Sequence, residues 1–295
     1  LVSVLIPGKD EGPNLEPLIR SLHPQTYSNI EVILIDDGSE DQTPRIGRRL
    51  EATGRVDRFL RQEVRGGKAS AANMGLQFAE GEFVVHVDAD SYLRENAIEE
   101  ILLPFYRDEN VGTVSGDIRV ANRWVSCPTI LQTYEYLKSI TLGRTVMSEI
   151  NILGIVAGAF GAFRTRTLRR LGGWDVGPGL DGDLTLKIRK LGYSISHVPG
   201  AICYTNAPTS FFALAQQRYR WGRSLVRFRL RKHRDLLNPG SPFRVSDFLT
   251  VADNVFFNLI VNFKWWIYIL QISLFNPLLW PFLFFVNIFL YSFQN

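Results

Sequence analysis

The sequence predicts an α/β fold: a mostly parallel sheet with helices on both faces, then a basic amphipathic helix and an apolar tail. Three observations carry this. Short apolar runs alternate with stretches of helical periodicity through the first two hundred residues. Several of those runs are almost continuously apolar, the pattern of strands buried on both faces rather than one. Finally, residues 265–295 contain no Asp, Glu, Lys or Arg, a run long enough to span a hydrocarbon core of about 30 Å as helix.

The elements follow in order. Residues 2–7 read as a strand and 14–22 as a helix. Residues 30–37 form a second strand, and a Ser39-Glu40-Asp41-Gln42 start opens a helix that ends near Gly54. A third strand lies around 56–62, a helix over 69–79 and a strand over 82–87, which ends in Asp88-Ala89-Asp90. Further on, 111–120 reads as a strand and 129–147 as one helix. Residues 154–163 are small and Gly/Ala-rich, a composition that suggests close backbone approach to something bulky. Residues 183–190 have helical spacing, and 194–199 read as a strand. Phe211, Leu214, Ala215, Gly222, Leu225 and Val226 recur at helical spacing within an Arg-rich stretch, as in a helix lying in a membrane surface.

At 295 residues the chain accommodates one large domain plus something smaller. The expected division is 1–207 for the α/β domain, 208–244 for the basic helix and linker, and 245–295 for one or more transmembrane segments. Aromatic content of 12% excludes disorder as the main state. Two distant cysteines exclude a disulfide scaffold, and four scattered histidines offer no zinc cluster. A net charge of +4 is too mild to indicate nucleic acid. Its distribution says more. Eight Lys or Arg and no acid fall in 218–234, just ahead of the uncharged tail. That order suits a cytoplasmic, positive-inside flank against anionic lipid headgroups. A second span is expected to begin near Phe248 and run past Asp253, Asn258, Asn262 and Lys264.

Acidic residues gather where chemistry belongs in such a sheet, at the carboxyl ends of strands. In Asp88-Ala89-Asp90 the two carboxylates share one side of an extended chain. Paired hard oxygens suit Mg²⁺ or Mn²⁺ with a phosphate-bearing substrate, although an isolated Asp-x-Asp also fits a loop of solvated acids. Asp36-Asp37-Gly38-Ser39 offers a carboxylate to a base or ribose, or alternatively a helix cap. Lys68, in Arg65-Gly66-Gly67-Lys68, can meet phosphate as a point charge. Asp181 and Asp183 stand at a helix start, where the dipole favours acids. The alternative reading of this pair is a general base, a carboxylate near the reacting hydroxyl. In Gln217-Arg218-Tyr219-Arg220-Trp221, arginine can grip phosphate and tryptophan offers a flat face to a sugar.

Taken in order, these pieces resemble glycosyltransferase family 2. More narrowly, they are similar to the membrane-bound processive synthases of cellulose, chitin, hyaluronan and poly-N-acetylglucosamine. The match runs from Val2 to about Trp221. It comprises Ile6-Pro7 with Glu11, Asp36-Asp37-Gly38-Ser39, Gly67-Lys68-Ala69, Asp88-Ala89-Asp90, Ala157-Gly158-Ala159, the Asp181 segment and Gln217-x-x-Arg220-Trp221. Each motif alone is weak; their ordered conjunction is specific. The resemblance implies a GT-A fold, a UDP-sugar donor, a Mg²⁺ or Mn²⁺ cofactor and inversion at the anomeric carbon. It implies that Asp37 holds the uridine, with Glu11 and Lys68 also on the nucleotide side. Asp88 would touch the ribose or the metal shell, and Asp90 would ligate the metal. Asp181 would be the base, Arg220 would steady the diphosphate, and Trp221, Gln217 and Gly158 would face the acceptor. Two departures stand out. Leu180 replaces the Glu that usually precedes the base, which keeps Asp183 as an alternative. Gly8-Lys9-Asp10-Glu11 stands where an aromatic-Asn-Glu is commoner. The implied setting is the cell membrane, with the catalytic domain cytoplasmic and membrane lipids and a growing glycan as partners. Alternatives are single-sugar transfer to a lipid acceptor, or an inactive partner of a synthase.

Overall fold

A computed structural model describes residues 1–175, 179–225, 232–233, 245–255, 270 and 274. Four parallel strands form one half of the sheet: β1 (Val2–Gly8), β2 (Ile30–Asp37), β3 (Arg58–Gln62) and β4 (Phe83–Val87), in spatial order β3-β2-β1-β4. In β1 and β4 every residue but the terminal Gly8 is buried, as the apolar runs require. Side chains alternate between faces. Val4 and Ile6 enter one core layer with Leu15, Leu18 and Ile19 of α1 (Gly12–Leu22). Leu5, Ile33 and Ile35 enter the other, with Ala71, Ala72 and Leu76 of α3 (Lys68–Phe78). Between these helices in sequence lies α2 (Thr43–Ala52).

The second half of the sheet is not parallel throughout. After β5 (Ser91–Leu93) and α4 (Ala97–Arg107) come β6 (Val111–Val120), α5 (Cys127–Tyr136), a π-helical segment (Leu137–Gly143) and α6 (Arg144–Glu149). Then follow β7 (Phe160–Arg164), α7 (Thr165–Arg170), α8 (Leu180–Lys190) and β8 (Ser194–Thr205). The full order is β3-β2-β1-β4-β7-β6-β8-β5. β7 is antiparallel to both β4 and β6, and β5 is antiparallel to β8. The sheet is therefore mixed, with two reversed strands. No sequence expectation covers α4, β5, β7 or α7.

The reversal of β7 positions the site. Phe160 pairs with Val87, so β7 begins where β4 ends. Residues 157–159 thereby lie against the acidic turn, and the Asp88 N–H donates to the Ala159 carbonyl at 3.1 Å.

The helix expected over 129–147 is divided by the π segment. Thr141 in that segment donates to the buried Asp117 carboxylate of β6 at 2.6 Å.

The last described elements are α9 (Phe211–Leu225) and α10 (Val245–Val255). α10 covers the start of the second expected span, and its first turns dock on the domain. Buried Asp247 accepts from Arg189 Nε of α8 at 2.8 Å, and Thr250 donates to the Ile152 carbonyl at 3.0 Å. Among the described residues no helix is long and apolar enough to cross a membrane. The spans expected beyond residue 255 lie outside the described residues, apart from 270 and 274, as does most of the basic block after Leu225.

Candidate active site

The carboxyl ends of β1, β2 and β4 open on one cleft of about 250 Å³. Its lining includes Pro7, Glu11, Asp37, Arg65, Lys68 and the 88–90 turn. Register explains the convergence, since Gly8 lies beside Asp36 and β4 is parallel on the other flank of β1. Space is tight at this junction: a Cβ on Gly8 would come within 2.9 Å of the Ala89 Cβ.

Asp37 is buried and accepts backbone N–H bonds from Gly66 at 2.7 Å and Gly67 at 2.9 Å. Its carboxylate thus fixes the loop that delivers Lys68 to the start of α3. Gly67 holds φ at +89°, a left-handed conformation that favours glycine. The neighbouring loops interlock. Asp10 donates its N–H to Ser39 Oγ and accepts from the Glu40 N–H, while Asp41 accepts from both Gly12 and Thr43 N–H groups. These acids are spent on loop geometry, Asp41 tying the start of α2 to the start of α1.

Lys68 Nζ donates to Asp88 in a short ion pair. Burial alone would depress the ammonium, but Asp88, Asp181 and Asp90 together outweigh it and hold the pKa above its ordinary value. Asp90 is raised, by surrounding protein first and by Asp88 second. Glu11 is raised by burial, against the Asn14 amide that donates to it at 2.6 Å; the Asp90 and Asp88 charges add to the rise. Two carboxyl groups at raised pKa, Glu11 and Asp90, beside the Asp88 carboxylate are what a divalent cation would relieve. Among the described residues no three His, Cys, Asp or Glu are grouped so as to hold a metal ion by themselves. Asp88 and Asp90, two residues apart in the cleft lining, are hard oxygen donors of the kind that a divalent cation completed by ligand oxygens takes.

Asp181 opens α8. Its carboxylate rests on Gly158, where a Cβ would fall 2.0 Å from Oδ2. This is the close approach that the Gly/Ala-rich segment foreshadows. No described residue hydrogen-bonds to that carboxylate. Burial pushes its pKa up to about 6; Lys68 opposes the shift, Asp88 adds to it, and Arg144 opposes it. Asp183 differs sharply. It is buried against Lys232 at 2.8 Å, His233 at 2.7 Å and Lys187 at 3.5 Å. Burial would raise it, but the His233 and Lys232 bonds hold it far below the usual carboxylate range. Arg144, which no sequence expectation names, shares a field with Asp181 and Asp117. Burial lowers it to about 10.

On α9, Arg220 and Trp221 are exposed and Gln217 is half-buried. Arg218 bonds Glu135 of α5 at 2.5 Å and stacks its guanidinium 4.6 Å over the Trp221 ring. Among the described residues no hydrogen bond or ion pair joins Arg220 to the cleft. Between α9 and the acidic turn stands Tyr136, whose phenol burial raises to about 12 in the field of Arg218, Glu135, Arg144 and Asp90.

Comparisons with known proteins agree with this architecture. The family model for glycosyl transferase family 2 matches residues 3–170. Poly-beta-1,6-N-acetyl-D-glucosamine synthase of Staphylococcus epidermidis is 28% identical over 222 residues, covering 75% of this chain and 53% of that protein. The enzyme of the same name from Staphylococcus aureus strain COL is 27% identical over the same length. The chain thus spans about half the length of the curated relatives it matches. Among solved structures, the mannosyltransferase PcManGT from Pyrobaculum calidifontis, in complex with GDP-Man and Mn²⁺, superposes with a TM-score of 0.69 at 23% identity. That match covers 99% of this chain and 85% of the other. Staphylococcus aureus TarS 1-349 with UDP-GlcNAc gives 0.61 at 18% identity, over 86% and 72%. Family-model coverage of more than half the sequence, over a GT-A-like mixed sheet, makes this chain a member of glycosyl transferase family 2.

Proposed function

We propose that the protein transfers a sugar from a UDP-sugar to a growing polysaccharide at the membrane, with inversion at the anomeric carbon. One observation carries the reading: the Asp181 carboxylate, free of hydrogen bonds from described residues, sits in the shared field of Lys68 and Asp88, which line the cleft. A base beside a diphosphate site is what direct displacement requires.

In this reading Asp37, through the Gly66–Gly67 loop, shapes the pocket for the uridine, and Lys68 offsets diphosphate charge. A divalent cation held by Asp90 and Asp88 would supply further charge neutralisation for the leaving diphosphate. Asp181 takes the proton of the acceptor hydroxyl. The acceptor oxygen bonds the anomeric carbon as the bond from that carbon to the diphosphate oxygen breaks, and UDP departs with the electron pair. Arg220 steadies the departing diphosphate. Trp221, its ring plane fixed by Arg218, stacks on the acceptor sugar, with Gln217 and Gly158 on the same side. The curated relatives named for poly-N-acetylglucosamine synthesis support a polymer product and an N-acetylhexosamine donor. The uncharged stretch 265–295 behind the basic block supports membrane attachment with the catalytic domain cytoplasmic.

Incubating the purified membrane-extracted protein with a panel of labelled UDP-sugars and sizing the product tests this. Label should enter a high-mass glycan from one donor, in the presence of Mg²⁺ or Mn²⁺. Label confined to an organic-extractable lipid would replace polymer synthesis with single-sugar transfer.

A further inference from the structure

Residues 154–159 cross beneath Asp181 as a strap fastened at two points. The Val156 N–H donates to Thr185 Oγ1 at 3.0 Å, and that hydroxyl donates onward to the Asp181 carbonyl at 2.6 Å. The Ala157 N–H donates to Ser115 Oγ at 3.1 Å. Ser115 also accepts from Arg144 Nη1 at 3.2 Å. The next strap residue is Gly158, whose lack of a Cβ admits the Asp181 carboxylate. Contacts thus run without a break from Arg144 through Ser115, Ala157 and Gly158 to Asp181.

Charge argues the same way. Arg144 faces Asp117 and Asp181. Asp117 is already satisfied, by Arg119 Nε at 2.8 Å and Thr141 Oγ1 at 2.6 Å. Among the described residues the Asp181 carboxylate has no such partner. The charges that face it, among the described residues, are Lys68 from α3, Asp88 from the turn after β4, and Arg144 from α6. Lys68 is committed to Asp88. Arg144 is the second cation, after Lys68, whose charge bears on the Asp181 carboxylate among the described residues, and it occupies the first position after the π-helical segment.

We propose that Arg144 is a positioning residue for Asp181, fixing the strap through Ser115 and opposing the carboxylate with its charge. The inference rests on Asp181 being the base. Arg144→Met should lower kcat about 10- to 100-fold, the scale of a misplaced catalytic group, with KM for the donor sugar within about twofold. Arg144→Lys should recover part of the loss. In an Asp181→Asn background, Arg144→Met should slow the residual rate no further, because the group it positions is gone. Unchanged kcat, a loss expressed in donor KM, or full additivity with Asp181→Asn each overturns the proposal. Parental turnover by Asp181→Asn alone would instead overturn the base reading. UDP affinity reports whether Arg144→Met has folded. If it has not, Ser115→Ala carries the test: kcat should fall at constant donor KM, and an unchanged kcat counts against the strap.

Discussion

Asp181 and Asp183 share one turn of α8 yet live in different electrostatic worlds. Two positions apart on a helix, they lie about 200° apart around its axis. One turns toward Gly158, in the field of Lys68 and Asp88, the other toward Lys187, Lys232 and His233. Asp183 is stabilised as a carboxylate and is a poor proton acceptor. Asp181, raised from 3.8 to about 6 by burial, accepts protons readily near neutrality. The sign for activity follows: burial disfavours the charged form, so the base is protonated and idle below its pKa. The logarithm of kcat/KM should rise with unit slope to about pH 6 and level off above it. An acid limb centred near pH 4 would indicate a base with an ordinary carboxylate pKa. The sequence could name both acids but not choose between them, because the choice depends on partners some 50 residues downstream for Asp183 and on strap backbone for Asp181. Arg144 was harder still, a lone arginine in a plain helical pattern whose significance comes only from a π-helical segment and a strand behind it.

At the level of elements, the apolar runs that became β1, β2 and β4 declared themselves, since burial on both faces leaves an unbroken hydrophobic signature. The reversed β7 did not. Strand direction is set by partners, and its Phe160-Gly161-Ala162-Phe163-Arg164 sequence carries no local mark of polarity. α4 has a legible buried stripe of Ile98, Ile101, Leu102 and Phe105, but Pro104 interrupts it. The expected second span shows a similar limit. Its first turns read as apolar, yet Asp247 anchors them to the catalytic domain. Arg189 is buried and divides its donors among Asp247, the Asn151 and Leu153 carbonyls and Ser246. Removing one partner of a buried pair leaves a buried charge uncompensated, typically at about 3–5 kcal/mol. Asp247→Ala should therefore lower domain stability by that order in chemical denaturation, with UDP affinity retained in the folded fraction. A change under about 0.5 kcal/mol, the usual scale of surface substitutions, would mean that α10 is not docked in solution.

Across the whole molecule, acids supplied by four separated stretches of chain meet at one edge of the sheet: Glu11, Asp37, Asp88 with Asp90, and Asp181. Three strand ends and one helix start bring them there. The motifs were legible because each is short and local; their convergence was legible only through the resemblance, since the reversed strand that carries Gly158 to Asp181 left no local trace. The cost of the arrangement is electrostatic. A carboxyl raised on folding stays protonated in the folded state after the unfolded chain has lost its proton, so stability attributable to Asp181 falls as pH rises from about 4 to about 6. Asp181→Asn should consequently raise Tm at neutral pH, while removing the base. The measurement that tests the account most directly is turnover and UDP affinity of Asp181→Asn beside the parent, each with Mn²⁺ and with EDTA. The account predicts transfer reduced by about 10²–10⁴-fold, UDP affinity preserved in Mn²⁺ and weakened by EDTA in both proteins. Turnover at the parental rate in Asp181→Asn would contradict it.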